Sequence, residues 1–159
     1  MKKRNPHHLL TTVLATLLPL SAMASESGPV DRDQAAITRQ LDRYEQALNG
    51  ADVDGVMKLY ASDAVFMPQH APALVGRDAV RVGYEQVFAT IKLDVSFTIH
   101  EVEEVGAWAW ARTSSAGRTR ILAVDAEVAE GNNELFVFRS EDGAWKIHRY
   151  LFSTTQPRA

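Results

Sequence analysis

The hydrophobic positions of the chain change period near its middle. From Arg32 to Asn49 the apolar residues Ile37, Leu41, Tyr44 and Leu48 fall on one stripe of an amphipathic helix, which Asn49-Gly50 then ends. Asp52 can cap a second, short helix in which Val53, Val56, Met57 and Tyr60 share a face. A brief strand is predicted over 64–67 and is stopped by Pro68. After the loop 69–75, Gly76 opens a third helix whose inward set is Val80, Tyr84, Val87, Phe88 and Ile91.

Beyond Ile91 the period falls to two, the signature of an antiparallel sheet. Leu93, Val95, Phe97 and Ile99 alternate with polar neighbours, and Trp108, Trp110 and Arg112 alternate with Ala107, Ala109 and Ala111. The less regular stretch 117–133 reads as strand extension, loop or partner surface. Strands over 135–138 and 145–152 are joined by the turn Glu141-Asp142-Gly143. Three helices followed by a meander of long strands predict an α+β domain over 32–154, with 25–31 as a flexible lead-in and 155–159 as a tail.

The first 24 residues do not belong to that pattern. Lys2-Lys3-Arg4, an apolar stretch from Leu9 to Leu20 and the small-residue site Ala22-Met23-Ala24 read as a cleaved export signal, with a periplasmic or secreted product. As a membrane anchor the stretch is too short and too interrupted by Thr11, Thr12, Thr16 and Pro19, since a spanning helix needs about 20 apolar residues. Loss of the leader removes three positive charges and no acid, so the formal charge of −3 becomes more negative. An acidic surface without a Lys/Arg cluster argues against nucleic acid or an anionic membrane as the main partner. The absence of cysteine excludes disulfides, zinc–thiolate sites and thiol nucleophiles.

The helix pair ending in Tyr60-Ala61-Ser62-Asp63-Ala64, the entry Gly76-Arg77-Asp78-Ala79-Val80 and the closing Asp142-Gly143-Ala144-Trp145-Lys146-Ile147 resemble the nuclear-transport-factor-2-like superfamily. That group holds ketosteroid isomerase and the SnoaL-type cyclases. Glu134-Leu135-Phe136-Val137 and Arg149-Tyr150-Leu151-Phe152 resemble its DUF4440 or SgcJ/EcaC branch. The resemblance implies a cone, with a curved sheet wrapped on three helices, a pocket at its open end, and often a homodimer.

Ketosteroid isomerase uses an Asp base, a Tyr donor and a protonated Asp donor. Laid onto this chain without gaps, the donor Tyr falls at Tyr44, the base at Pro68 beside Met67 and Gln69, and the second donor at about Leu135. Neither Pro68 nor Leu135 can exchange a proton, so steroid isomerisation by that route is rejected. His70, in the loop after Pro68, reads either as a base near neutral pH or as a surface histidine. Tyr44 reads as a pocket donor or a core tyrosine, and Tyr84 as a core residue within reach of a ligand.

If the tryptophans Trp108 and Trp110 face inward, so does Arg112, either to hold an anionic ligand group or to pair with Glu101 or Glu134. On the last strand the odd positions Trp145, Ile147, Arg149 and Leu151 are assigned to the cone, which makes Arg149 a second basic pocket group. Neither a metal nor a nicotinamide or flavin cofactor is indicated, because no H-x-H, H-E-x-x-H or glycine-rich phosphate motif is present. The expectation is therefore a domain binding a small hydrophobic or anionic organic molecule, with Tyr44 and His70 as catalytic candidates and Met67, Tyr84, Trp110, Arg112 and Arg149 as pocket residues. The alternative is a non-catalytic module that dimerises through its outer sheet face.

Overall fold

A computed structural model describes residues 29–156, so the predicted leader, most of the lead-in and the end of the tail lie outside the described residues. The elements are α1 (Pro29–Asn49), α2 (Val53–Leu59), β1 (Tyr60–Met67), β2 (Leu74–Val75), α3 (Arg77–Thr90), β3 (Ile91–Val105), β4 (Trp108–Ile121), β5 (Ala126–Glu141) and β6 (Ala144–Thr154). The first helix begins at Pro29, inside the segment expected as lead-in; proline is well placed in a first turn, where its missing N–H costs nothing.

The predicted stripes are the buried ones. Ile37, Leu41, Tyr44 and Leu48 of α1 join Val56 and Met57 of α2 and Val80 and Tyr84 of α3 in one core. Asp52 caps α2 by accepting from the Gly55 amide at 2.9 Å. Gly76 caps α3 at φ 87°, a conformation that favours glycine.

Six strands form one curved, unclosed sheet in the order β2-β1-β6-β5-β4-β3, the α+β cone expected. It departs from a pure meander at one place, where β1 runs parallel to β6. The stretch 117–133 is strand: β4 and β5 run on as a long hairpin, pairing from Trp108↔Arg139 to Ile121↔Ala126. The apolar run after Ile121 is its turn, where Leu122 and Val124 are exposed.

An open sheet must satisfy its edge strands. Here α1 lies along the edge of β3. The Asn49 side chain donates to the Val95 carbonyl at 2.8 Å and accepts from its amide at 3.0 Å, while Glu45 accepts from the Phe97 amide at 2.7 Å. These contacts hold the helix across the cone and leave a space between α1, α3 and the inner sheet face.

Candidate functional site

Side-chain parity decides what lines that space. On β4 the buried residues are Ala109, Ala111, Thr113, Ser115 and Thr119, so Trp108, Trp110 and Arg112 point to the outer face. The expectation that Trp110 and Arg112 face the hollow is thus reversed. The two alanines lie in the core, almost fully buried, and the indoles do not. Arg112 pairs with Glu101 across the outer face at 2.5 Å and keeps 55% of its side chain exposed. It does not meet Glu134.

On β6 a bulge intervenes. Phe138 pairs with Ile147 but Val137 pairs with Arg149, so His148 is the extra residue and the faces exchange there. Trp145 and Ile147 lie in the core before it, and Tyr150 after it. The assignment of odd positions to the cone therefore holds up to Ile147 and fails beyond. Arg149 turns away and donates to the Asp63 carbonyl at 3.1 Å and to the His148 carbonyl at 2.7 Å.

Phe66 on β1 lines the hollow, while its neighbour Met67, partly exposed, does not. His70, exposed with φ 61° in the loop after Pro68, does not line it either. Of the residues expected at the site, Tyr44 and Tyr84 are the two that the hollow brings together.

The hollow has a volume of about 140 Å³. One side is apolar: Leu48, Val87, Ile91, Leu93 and Val95, with the rings of Phe66, Phe97 and Phe152. Tyr150 stacks between Phe136, at 4.3 Å and 15°, and Phe66, at 5.2 Å and 13°. The Tyr44 ring meets Tyr84, Phe97, Phe136 and Tyr150 edge-on. Its hydroxyl lies 2.6 Å from that of Tyr84, which lies 2.8 Å from that of Tyr60. Burial raises the pKa of all four tyrosines well above 10, so each stays a neutral phenol.

The opposite wall is a polar stripe from one face of β4 and β5: Ser115, Glu130, Asn132 and Glu134. Glu134 is 4% exposed. Its carboxyl accepts from Thr113 Oγ1 at 2.6 Å, from Ser115 Oγ at 2.9 Å and from the Tyr150 hydroxyl at 3.3 Å. Burial dominates those three donors and, aided by the charge of Glu130, lifts its pKa to about 7. A carboxyl tuned to exchange its proton near neutrality, in a hollow with phenols beside it, is equipped for general acid–base chemistry.

Laid onto the family pattern, the second donor fell on Leu135, which points outward. Its neighbour Glu134 carries the inward acid that the sequence comparison missed. The available signal was the period-two run Glu130, Asn132, Glu134, Phe136 and Phe138, whose polar half reads as a solvated edge when its face is unknown. Among the described residues no group of three or more His, Asp and Glu converges on a metal position.

The model of the SnoaL-like domain matches residues 41–148. The chain belongs to this family. A ketosteroid isomerase-like protein from Erwinia carotovora atroseptica SCRI1043 shares 32% identity, with 80% of this chain and 99% of that one covered at a TM-score of 0.76. A conserved protein from Planctomyces limnophilus DSM 3776 is 21% identical, with 78% and 98% covered and a TM-score of 0.70. An NTF2-like protein of unknown function from Pseudomonas putida KT2440 is 19% identical, with 79% and 89% covered and a TM-score of 0.64. These last two share the fold. The comparison with curated proteins finds no match.

Proposed function

We propose that this SnoaL-like protein is exported by its leader and binds a small, largely apolar organic molecule in the hollow, where Glu134 moves a proton. The observation that carries this reading is the buried Glu134 carboxyl on the wall of a largely apolar space, its pKa lifted to about 7. As carboxylate it takes a proton from a bound molecule, and as acid it returns that proton at another atom, the net change of an isomerisation. Tyr44, a neutral phenol on the lining, is the group available to stabilise negative charge that develops on the molecule, since the Tyr150 hydroxyl already donates to Glu134. Pro68 at the position of the isomerase base keeps the family's steroid reaction out of the proposal. Within the nuclear-transport-factor-2-like superfamily we assign the chain to the DUF4440 or SgcJ/EcaC branch, on the segments 134–137 and 149–152.

The test begins with native mass spectrometry of the protein purified from its own host, to identify a small molecule that travels with it. Glu134→Gln should then keep binding and lose conversion. Conversion that survives this substitution, or a ligand located outside the hollow, sinks the proposal.

A second reading has an observation of its own. Val105, Trp108, Trp110, Leu135 and Val137 form an apolar depression on the outer face of the sheet, with Trp108 44% exposed. A second copy of the chain, seated on this face, makes a homodimer without blocking the hollow on the opposite face.

A further inference from the structure

We propose that the hollow selects a small protonated amine on an aromatic or apolar body, seated between Glu134, Glu130 and the surrounding rings. This rests on the reading of the hollow as the ligand site and departs from the hydrophobic or anionic ligand expected from the sequence.

The polar stripe offers acceptors and has spent its donors. The Thr113 and Ser115 hydroxyls donate to Glu134, and the Thr119 hydroxyl donates to Glu130 Oε2 at 2.7 Å. Asn132 uses its Nδ2 on Glu130 Oε1 at 2.8 Å and on Ser115 Oγ at 3.3 Å, which fixes the orientation of the amide. That leaves Asn132 Oδ1 buried without a partner, on a residue 7% exposed that lines the hollow. A buried acceptor without a donor is a cost that a donating ligand relieves.

Charge points the same way. The lining residues include two carboxylates and no Lys, Arg or His. The nearby cations Arg118 and Arg120 lie on exposed positions and are engaged by Glu127 and Asp125. A ligand carboxylate would meet like charge and no counter-ion, whereas an ammonium restores the balance when Glu134 ionises. The remaining walls mix aliphatic side chains, Leu93 and Val95 among them, with aromatic rings such as Phe97, whose negative faces attract a cation and not an anion. A cavity of roughly 150 Å³ accepts one benzene ring, so a single aromatic ring bearing a short amine matches this space.

The experiment titrates the purified protein with three probes of equal shape, benzylamine, benzyl alcohol and benzoate, at pH 7.5 and 0.15 M salt. Ring resonances of Phe97 and Tyr150 report occupancy of the hollow. Benzylamine should bind at least tenfold more tightly than the alcohol, with benzoate weakest. In the double variant Glu130→Gln, Glu134→Gln that preference should disappear while binding of the alcohol persists, and in Glu101→Gln, on the outer face, it should remain. Alcohol or benzoate binding as tightly as the amine overturns the amine proposal and leaves the hollow as a ligand site. A preference that survives in the double variant overturns it too, by placing the amine on the acidic surface. If no probe moves the ring resonances, the reading of the hollow falls with it.

Discussion

Thr113 on β4 and Glu134 on β5 stand directly opposite each other in the sheet, and the Thr113 hydroxyl donates to the Glu134 carboxyl at 2.6 Å. The pair places a titrating acid on the concave face with its neighbours fixed by strand register. Around it, burial outweighs three hydrogen-bond donors, and this has a consequence for stability.

The folded chain keeps a proton on Glu134 up to about pH 7, whereas an unfolded glutamate releases it near its ordinary 4.5. The folded state therefore binds more protons between these values, and stability must fall as pH rises. The contribution is fully present below about pH 4.5, declines up to pH 7 and is level above. Its size is at most roughly 3 kcal/mol, from about 1.4 kcal/mol per unit. His148, whose pKa burial lowers, pulls the other way in part of this window. Urea denaturation of wild type and Glu134→Gln from pH 4.5 to 8 isolates the glutamate: the gap between the two should widen with pH in favour of the variant.

The phenol chain should be more sensitive at its centre than at its end. Tyr84 touches both Tyr44 and Tyr60, so Tyr84→Phe strands two buried hydroxyls where Tyr60→Phe strands one contact. Losses of about 2–3 and about 1 kcal/mol are expected, read from urea midpoints. Equal losses would show that the hydroxyls do not act as a chain.

Gly117 faces Val95 in the β3–β4 pair so closely that a Cβ there would lie 2.1 Å from the Asp94 carbonyl oxygen. Backbone cannot swing aside as a flexible side chain does. Gly117→Ala should cost about 1–3 kcal/mol and loosen the amides of β3 near Val95 in hydrogen exchange, beside the apolar wall of the hollow.

How far these features can be read from sequence depends on whether periodicity identifies a face. The helices were legible because Ile37, Leu41, Tyr44 and Leu48 define one stripe on a helix that is polar elsewhere. On β4 the rule had nothing to hold: large Trp108 and Trp110 alternate with small Ala109 and Ala111, and both sets are apolar. The small set faces inward, where Ala109 and Ala111 are almost fully buried, a fact of the tertiary packing and not of the strand. On β6 a single extra residue, His148, exchanged the faces of everything after it, so Arg149 left the site and Tyr150 entered. From sequence, Glu134 is legible only as a candidate partner for an inward Arg112, since nothing in the strand pattern alone tells that it faces the hollow while Arg112 does not.

Those reversed faces yield a check on ligand binding. His70→Ala and Arg112→Ala should leave affinity for any molecule in the hollow within about twofold, because neither residue lines it. Arg112→Ala should also change stability by no more than about 0.5–1 kcal/mol, as its ion pair with Glu101 is exposed. A tenfold loss of affinity in either variant would mean that the ligand sits elsewhere.

The outward tryptophans lead to the last expectation. Trp108 is held from two sides, edge-on against His148 at 4.9 Å and beneath the Arg139 guanidinium at 5.7 Å, while Arg139 is itself fixed by Asp63 and Glu141. Such anchoring holds the indole in place although 44% of it meets solvent, so little side-chain freedom remains to be lost when a partner covers it. Trp110 and Val137 stand opposite each other beside it, extending the same apolar surface across two strands. A second copy docked there would bury the patch on both subunits at once, as a two-fold interface requires. Light scattering at micromolar concentration should therefore report a dimer for the wild type and a monomer for Trp110→Glu, with helix content unchanged because the substituted side chain lies outside the core. A monomeric wild type would remove the interface reading and leave the hollow as the working part of the molecule.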